Sequence, residues 1–334
     1  MPFPITNLEI VLFWEPQVVL QIGKVRLPLT NRLPQGTSIP CASNISDMKR
    51  IAWIAVAAVA MSAVFPQGAG VRAQASLPGS TPAYLGFDRN NYPGDENLKL
   101  LRQTFSYAGF WLNRPPGEKA NTWAGKRRAL ESAGFGFLVL FNGRLFAELK
   151  TVSNASKLGK SDGQAAVAAA QREGFPAGMV IFLDQEEGGR MLPEQKAYIY
   201  AWVDEIIAAG FRAGIYCSGI AAKEDGGVTV VAAEDIRQNA AGRKIVYWVA
   251  NDACPPSPGC AFSRNSPKPT DSGTDFAEVW QFAQSPRRTE VASGCPKNYD
   301  RDGSCYPPGV ELVKRLHVDL NTATSADPSR GRTR

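Results

Sequence analysis

Residues 178–187 read Gly-Met-Val-Ile-Phe-Leu-Asp-Gln-Glu-Glu. An apolar run without alternation, ended by an acid, is the pattern of a short strand buried on both faces, as in a parallel sheet. Mainly apolar runs recur, not all of them ended by an acid, at Ala83–Asp88 (AYLGFD), Tyr107–Leu112 (YAGFWL), Phe135–Phe141 (FGFLVLF), Phe211–Cys217 (FRAGIYC), Lys244–Ala250 (KIVYWVA), Phe276–Phe282 (FAEVWQF) and Leu316–Leu320 (LHVDL). Helical stretches separate several of these runs. Asp162–Glu173 opens on a capping residue and is Ala-rich. Pro193–Ala209 has Pro in its first turn and apolar residues at Tyr198, Trp202, Ile206 and Ala209. Trp123–Ser132 and Glu234–Ala241 are shorter helix candidates. Eight strands with helices between them, in about 250 residues, predict an α/β fold of the (β/α)8, TIM-barrel-like kind. A doubly wound open sheet is the alternative, but no G-x-G-x-x-G follows a strand.

The chain has 334 residues, 44% of them hydrophobic and 20% charged, which excludes an intrinsically disordered chain. Half of its net charge of +6 lies in the first 75 residues. Six Lys/Arg and three Asp/Glu fall in residues 1–75, leaving 31 basic and 28 acidic side chains in 76–334. That excess is too small for a nucleic-acid-binding surface. Met48-Lys49-Arg50, the uncharged run Ile51–Val64 and Ala73-Gln74-Ala75 together make a secretory signal peptide over 48–75. The apolar run falls short of the roughly 20 residues that span a bilayer, so no membrane span is expected after cleavage; an uncleaved anchor is the alternative. Residues 1–47 are then an upstream extension from a start codon placed too early. Residues 76–324 form the barrel, and 325–334 are expected to be a polar, basic, disordered tail. The protein is expected in the secreted, periplasmic or cell-envelope space.

An oxidising compartment fits the cysteines. Cys254 with Cys260, in a Pro-rich loop, and Cys295 with Cys305, in a Gly/Asp-rich loop, are close pairs and are expected as disulfides. Cys217 ends an apolar strand and is expected as a buried free thiol. The loops that hold the pairs, Asp252–Thr274 and Ser285–Gly309, are long and would sit at the rim. With one histidine, His317, and no C-x-x-C, neither a metal nor a cofactor is expected. Asn298–Gly303 begins like a calcium loop, but its twelfth position is Gly309 rather than Glu.

Acids end several strands: Asp88 the first, Asp184 the fourth with Glu186 close behind, and Asp319 the eighth. In a barrel those ends share one rim, the face where active sites are built. Asp184 and Glu186 are two apart, so an extended chain turns both to one side, about 6–7 Å apart. Glycoside cleavage needs such a set, with one carboxylic acid to protonate the leaving oxygen and another carboxylate to act as nucleophile or activate water. Crowding of the acids raises at least one of their proton affinities. The alternative is that the acids cap helices or pair with Arg89 and Arg190.

The pieces Gly86-Phe87-Asp88, Phe182-Leu183-Asp184-Gln185-Glu186, Gly214-Ile215-Tyr216, Tyr247-Trp248-Val249-Ala250, Val279-Trp280-Gln281-Phe282 and Val318-Asp319-Leu320-Asn321 stand in order along the chain. They resemble the strand motifs of the glycoside hydrolase family 25 lysozymes. They are closer still to a glycoside-hydrolase-like family known as domain of unknown function 1906. The resemblance covers roughly residues 83–322. It implies a (β/α)8-like barrel acting on peptidoglycan or a related polysaccharide. Glu186 would be the general acid, Asp184 the nucleophile or charge-stabilising neighbour, and Asp88 and Asp319 would complete the acidic floor. Tyr216, Trp248, Gln281 and Asn321 would contact the sugar, the aromatic faces by stacking. Leu138–Arg144 departs from the lysine-containing motif of the lysozymes. A catalytically silent carbohydrate-binding barrel of the cell envelope is the alternative function.

Overall fold

The computed structural model describes residues 83–251, 267–284, 316 and 318–333. Eight strands close into a barrel: β1 (Tyr84–Asp88), β2 (Tyr107–Trp111), β3 (Gly136–Asn142), β4 (Val180–Asp184), β5 (Arg212–Ser218), β8 (Ile245–Ala250), β9 (Ala277–Ala283) and β10 (Asp319–Ala323). A small hairpin, β6 (Ala221–Lys223) with β7 (Thr229–Val231), stands apart from it. Each apolar run of the sequence yields a barrel strand. β2 and β4 are buried at every position, as expected for strands covered on both faces.

The neighbour order around the barrel is β1-β10-β9-β8-β5-β4-β3-β2. Strands β1 to β5, β8 and β9 run parallel, while β10 runs antiparallel to both its neighbours, β9 and β1. This corrects the sequence reading twice. The eighth strand occupies 319–323 rather than 316–320, and Asp319 begins it rather than ending it. Because the strand is reversed, its first residue still reaches the rim where the other strands end, and Asp319 lies directly opposite Asp88.

Helices α1 (Asp95–Thr104), α2 (Arg127–Ser132), α3 (Phe146–Leu149), α4 (Val152–Arg172), α5 (Pro193–Ala208) and α6 (Ala232–Gln238) pack outside the strands. Helix α4 starts ten residues before the predicted Asp162, with the Thr151 side chain accepting a bond from the Asn154 amide as its cap. Gly159 and Gly163 lie within it, where helix α5 passes so close that a Cβ at 159 would run into the Tyr198 carbonyl. Between barrel and helices the core is aromatic. Phe110 meets Trp123, Phe137 and Phe175 edge-on, and Phe87 packs on Phe105 and Phe135. Cys217 is a buried free thiol as expected, its proton affinity pushed up to about 12 by desolvation.

The expected disordered tail is instead packed against the base of the barrel. Asp327 Oδ1 accepts the Phe137 amide at 2.8 Å, and Ser329 Oγ accepts the Val139 amide at 2.8 Å. Ser329 also extends the sheet through its backbone, donating to Phe137 O and accepting from the Val180 amide. Small and kinked residues make this possible: Pro328, Ser329 and Gly331 are buried although their neighbours Arg330 and Arg332 are exposed.

The two expected disulfides, Cys254 with Cys260 and Cys295 with Cys305, fall outside the described residues. Among the described residues there is no disulfide, and Cys217 is free. Residues 1–75 (which hold the expected signal peptide), Asn298–Gly303 and His317 also lie outside the described residues. Among the described residues no helix is long and apolar enough to cross a membrane.

Candidate functional site

The strand register assembles the site at one level of the barrel. Asn142 lies beside Asp184, Asp184 beside Tyr216, and Tyr216 beside Trp248. Ala250 lies beside Gln281, Gln281 beside Asn321, and Asn321 beside Gly86, with Asp88 and Asp319 two residues nearer the mouth. Residues from sequence positions over 200 apart are therefore lateral neighbours.

Asp88 is 5% exposed, and its Oδ1 accepts two amides: Asn321 Nδ2 at 2.6 Å and Gln281 Nε2 at 3.0 Å. Gln281 Nε2 also reaches Asp319 Oδ2 at 3.4 Å. Behind these stand Trp248, whose Nε1 donates to Asn321 Oδ1 at 2.9 Å, and Tyr216, whose hydroxyl donates to Gln281 Oε1 at 2.8 Å. Gln284 Nε2 donates to the same Gln281 oxygen at 2.8 Å. The rings of Tyr216 and Trp248 contact each other at 4.6 Å, and Trp248 meets Phe182 at 5.9 Å.

Asp184 is 4% exposed, and its Oδ2 is buried with no hydrogen-bond partner. Glu186 follows the end of β4 and is exposed to the mouth. All three acids bind their protons more tightly than usual. Burial pushes Asp88 up to about 6, partly offset by its two amide donors and reinforced by the charge of Glu186. Burial raises Asp184 well above the ordinary carboxylate range, with added repulsion from Glu186 and Asp88. The Glu186 side chain reaches solvent, yet protein packed around it raises its carboxyl by desolvation too. Among the described residues no ion pair reaches Asp88, Asp184 or Glu186. Arg190 instead binds Glu224 at 3.0 Å.

Asp184 and Glu186 open on a cleft of about 540 Å³ walled by the ends of β2 and β3, with Asn113, Arg114, Asn142, Arg144 and Glu148 along it. Arg144 is held by a two-pronged bond to Asp162, at 2.6 and 3.0 Å, and Tyr198 binds the same carboxylate at 3.0 Å. Sequence reading missed this wall. Its signal was Asn142-Gly143-Arg144 directly after an apolar strand, the place where a barrel puts rim side chains. A larger cavity of about 1150 Å³ lies at the beginnings of β5 and β8, lined by Arg212, Arg237, Arg243 and Lys244. None of the strand-end acids borders it, and Arg237 and Arg243 are tied to Asp275 and Asp204.

The structure thus brings Asp88, Asp184, Glu186 and Asp319 to one mouth. It corrects the role expected for three of the sugar-contacting residues. Trp248, Gln281 and Asn321 are 1%, 3% and 0% exposed, so no sugar face can stack on the indole and the two amides are already engaged with protein groups. They lie beneath the acids, and Tyr216 is half-buried among them. Among the described residues no group of three or more His, Cys, Asp or Glu is arranged to hold a metal.

Residues 105–253 match the family of Rv2525c-like, glycoside hydrolase-like domains, in agreement with the resemblance carried by the ordered strand motifs. No curated protein matches the chain. Solved structures similar to it include an uncharacterized protein of B. stearothermophilus, at 19% identity over 72% of this chain and 95% of that one, TM-score 0.44. The Tat-secreted protein Rv2525c of Mycobacterium tuberculosis, in complex with HEPES, is similar at 14% identity over 75% and 98%, TM-score 0.42. A family 25 glycosyl hydrolase of Bacillus anthracis is similar at 10% identity over 72% and 89%, TM-score 0.39.

Proposed function

We propose that this protein is an exported glycoside hydrolase acting on peptidoglycan or a related polysaccharide, with Glu186 as the general acid. One observation carries the reading: acids from three separate strands and the turn after β4 meet at one mouth, three of them with raised proton affinity, and one of these stands open to a cleft. Glu186 is placed to protonate the leaving oxygen, because it is the exposed acid and desolvation keeps its proton available nearer neutrality. Asp88, buried behind it and held by two amide donors, supplies negative charge toward the positive charge that develops on the sugar ring. Arg114, Asn142 and Arg144 offer donors to hydroxyl, acetamido or carboxylate groups along the cleft. The match to a glycoside hydrolase-like family supports the substrate class, and the sequence of 48–75 supports export.

The test is release of reducing ends from purified peptidoglycan. Wild-type protein is expected to release them, and Glu186→Gln to lose at least about 100-fold of the rate while keeping its thermal midpoint. Equal rates in the two proteins overturn the assignment.

A second reading, a sugar-binding barrel without turnover, draws on the deep burial of Asp88 and Asp184 and the engagement of Trp248, Gln281 and Asn321 with protein. Saccharide binding that survives Glu186→Gln, with no product from either protein, selects it.

A further inference from the structure

We propose that Trp248, Asn321 and Gln281 are positioning residues that sort one proton between the two buried acids, leaving Asp88 negative and Asp184 protonated. The argument starts from the indole. Its N–H can only donate. Trp248 Nε1 lies 2.9 Å from one end of the Asn321 amide, so that end is the oxygen and the NH2 end faces Asp88. The second amide takes the same polarity, set by a hydroxyl and an amide rather than by a donor-only group. Tyr216 Oη and Gln284 Nε2 both converge on Gln281 Oε1, which turns its NH2 toward Asp88 and Asp319. Two amide donors, one of them fixed by the indole, therefore meet on a single oxygen, Asp88 Oδ1, and reward its negative form.

Asp184 receives no such help. Its sealed Oδ2 meets no donor, and a bare carboxylate oxygen in that position is costly, whereas a protonated carboxyl is tolerated. Glu186 beyond β4 adds repulsion to both acids of the pair, and Tyr107 on β2 and Tyr216 on β5 are phenols whose own protons are held tightly and so carry no charge. Asn142 on β3, Trp248 on β8 and Gln281 on β9 are neutral. The arginines that line the cleft with Asp184 are Arg114 and Arg144, and Arg144 is claimed by Asp162 and Glu148. One charge rather than two then lies beneath Glu186. The use of that charge in catalysis rests on the hydrolase reading; the location of the proton does not.

The test is a carboxyl 13C NMR titration of protein labelled at its Asp and Glu side-chain carboxyls, with Asp88→Asn and Asp184→Asn used to assign the signals. Asp88 is expected to titrate near 6, and Asp184 to keep its proton to distinctly higher pH. The reverse order, or Asp184 titrating in the ordinary carboxylate range, overturns the proposal. Trp248→Phe keeps the ring but removes the donor, so the Asn321 amide is free to turn its oxygen toward Asp88. The proton affinity of Asp88 should then rise about tenfold. No change removes Trp248 from the scheme. If near-UV circular dichroism shows this variant misfolded, Gln281→Met provides the same comparison by removing the other donor, with the same rise expected and the same failure if it is absent. No glycan enters these titrations. A protein that titrates in the expected order yet cuts nothing overturns the hydrolase reading alone; one that cuts glycans with the order reversed overturns the proton assignment alone.

Discussion

Asp88 ties protonation to stability. Its carboxyl binds a proton with a midpoint of about 6 in the fold against 3.8 when unperturbed. The native state therefore holds a proton that the unfolded chain releases earlier. The stabilisation is complete below pH 3.8 and is lost as pH rises through 6. For Asp88 the difference amounts to about 3 kcal/mol across that window. Urea unfolding between pH 4 and 7 should show wild-type stability falling relative to Asp88→Asn, which has no carboxyl to titrate at 88. Parallel curves for the two proteins would disprove the raised proton affinity. The acids themselves were readable in the sequence because each sits against the end of an apolar run, where a barrel rim collects side chains. The protein-facing work of Trp248 and Asn321 was not. It depends on which side chain stands next to which around the barrel, and a residue 73 positions away supplies the indole's partner.

At the scale of elements, helix α4 makes the point most sharply. Helix propensity alone says that Gly159→Ala should stabilise by about 1 kcal/mol. Packing says the opposite, because the new methyl meets the Tyr198 carbonyl on α5 and the two helices must separate. Overpacking of this kind costs about 1–3 kcal/mol, so a lower thermal midpoint is expected for Gly159→Ala. A higher midpoint would mean that the two helices are less closely fitted. Sequence reading began this helix at Asp162 and so missed its first half, in which Gly159 lies. Gly159 lowers the local helix propensity, whereas it and Gly163 are contact points that only tertiary structure reveals. The strands were easier, since burial on both faces leaves an unbroken apolar run. The direction of β10 was not readable, because an apolar run carries no arrow.

For the whole molecule, the last residues act as a base plate. Ser329 is fully buried and satisfies the Val139 amide inside the sheet edge, and Arg127 donates to Gly331 O while its guanidinium lies 5.0 Å from the Phe175 ring centroid. Ser329→Ala leaves the Val139 N–H without its partner, at a cost of about 1–3 kcal/mol. Removal of residues 325–334 should cost more, lowering the unfolding midpoint in urea while leaving the cleft residues in place. A truncated protein as stable as the full chain would contradict this packing. Composition misled here: a polar, basic stretch resembles a free end, yet its anchoring comes from backbone groups and from small side chains at 328, 329 and 331, which hydropathy does not register.

The reversed final strand has a practical corollary. A chain leaving β10 is handed to the floor of the barrel, and the segment through Thr333 stays there, bonded to Glu131. Anything fused after that point departs from the side opposite the four acids. A surface tether or reporter domain joined at that end would hold the molecule with its mouth outward, free to meet an insoluble polymer.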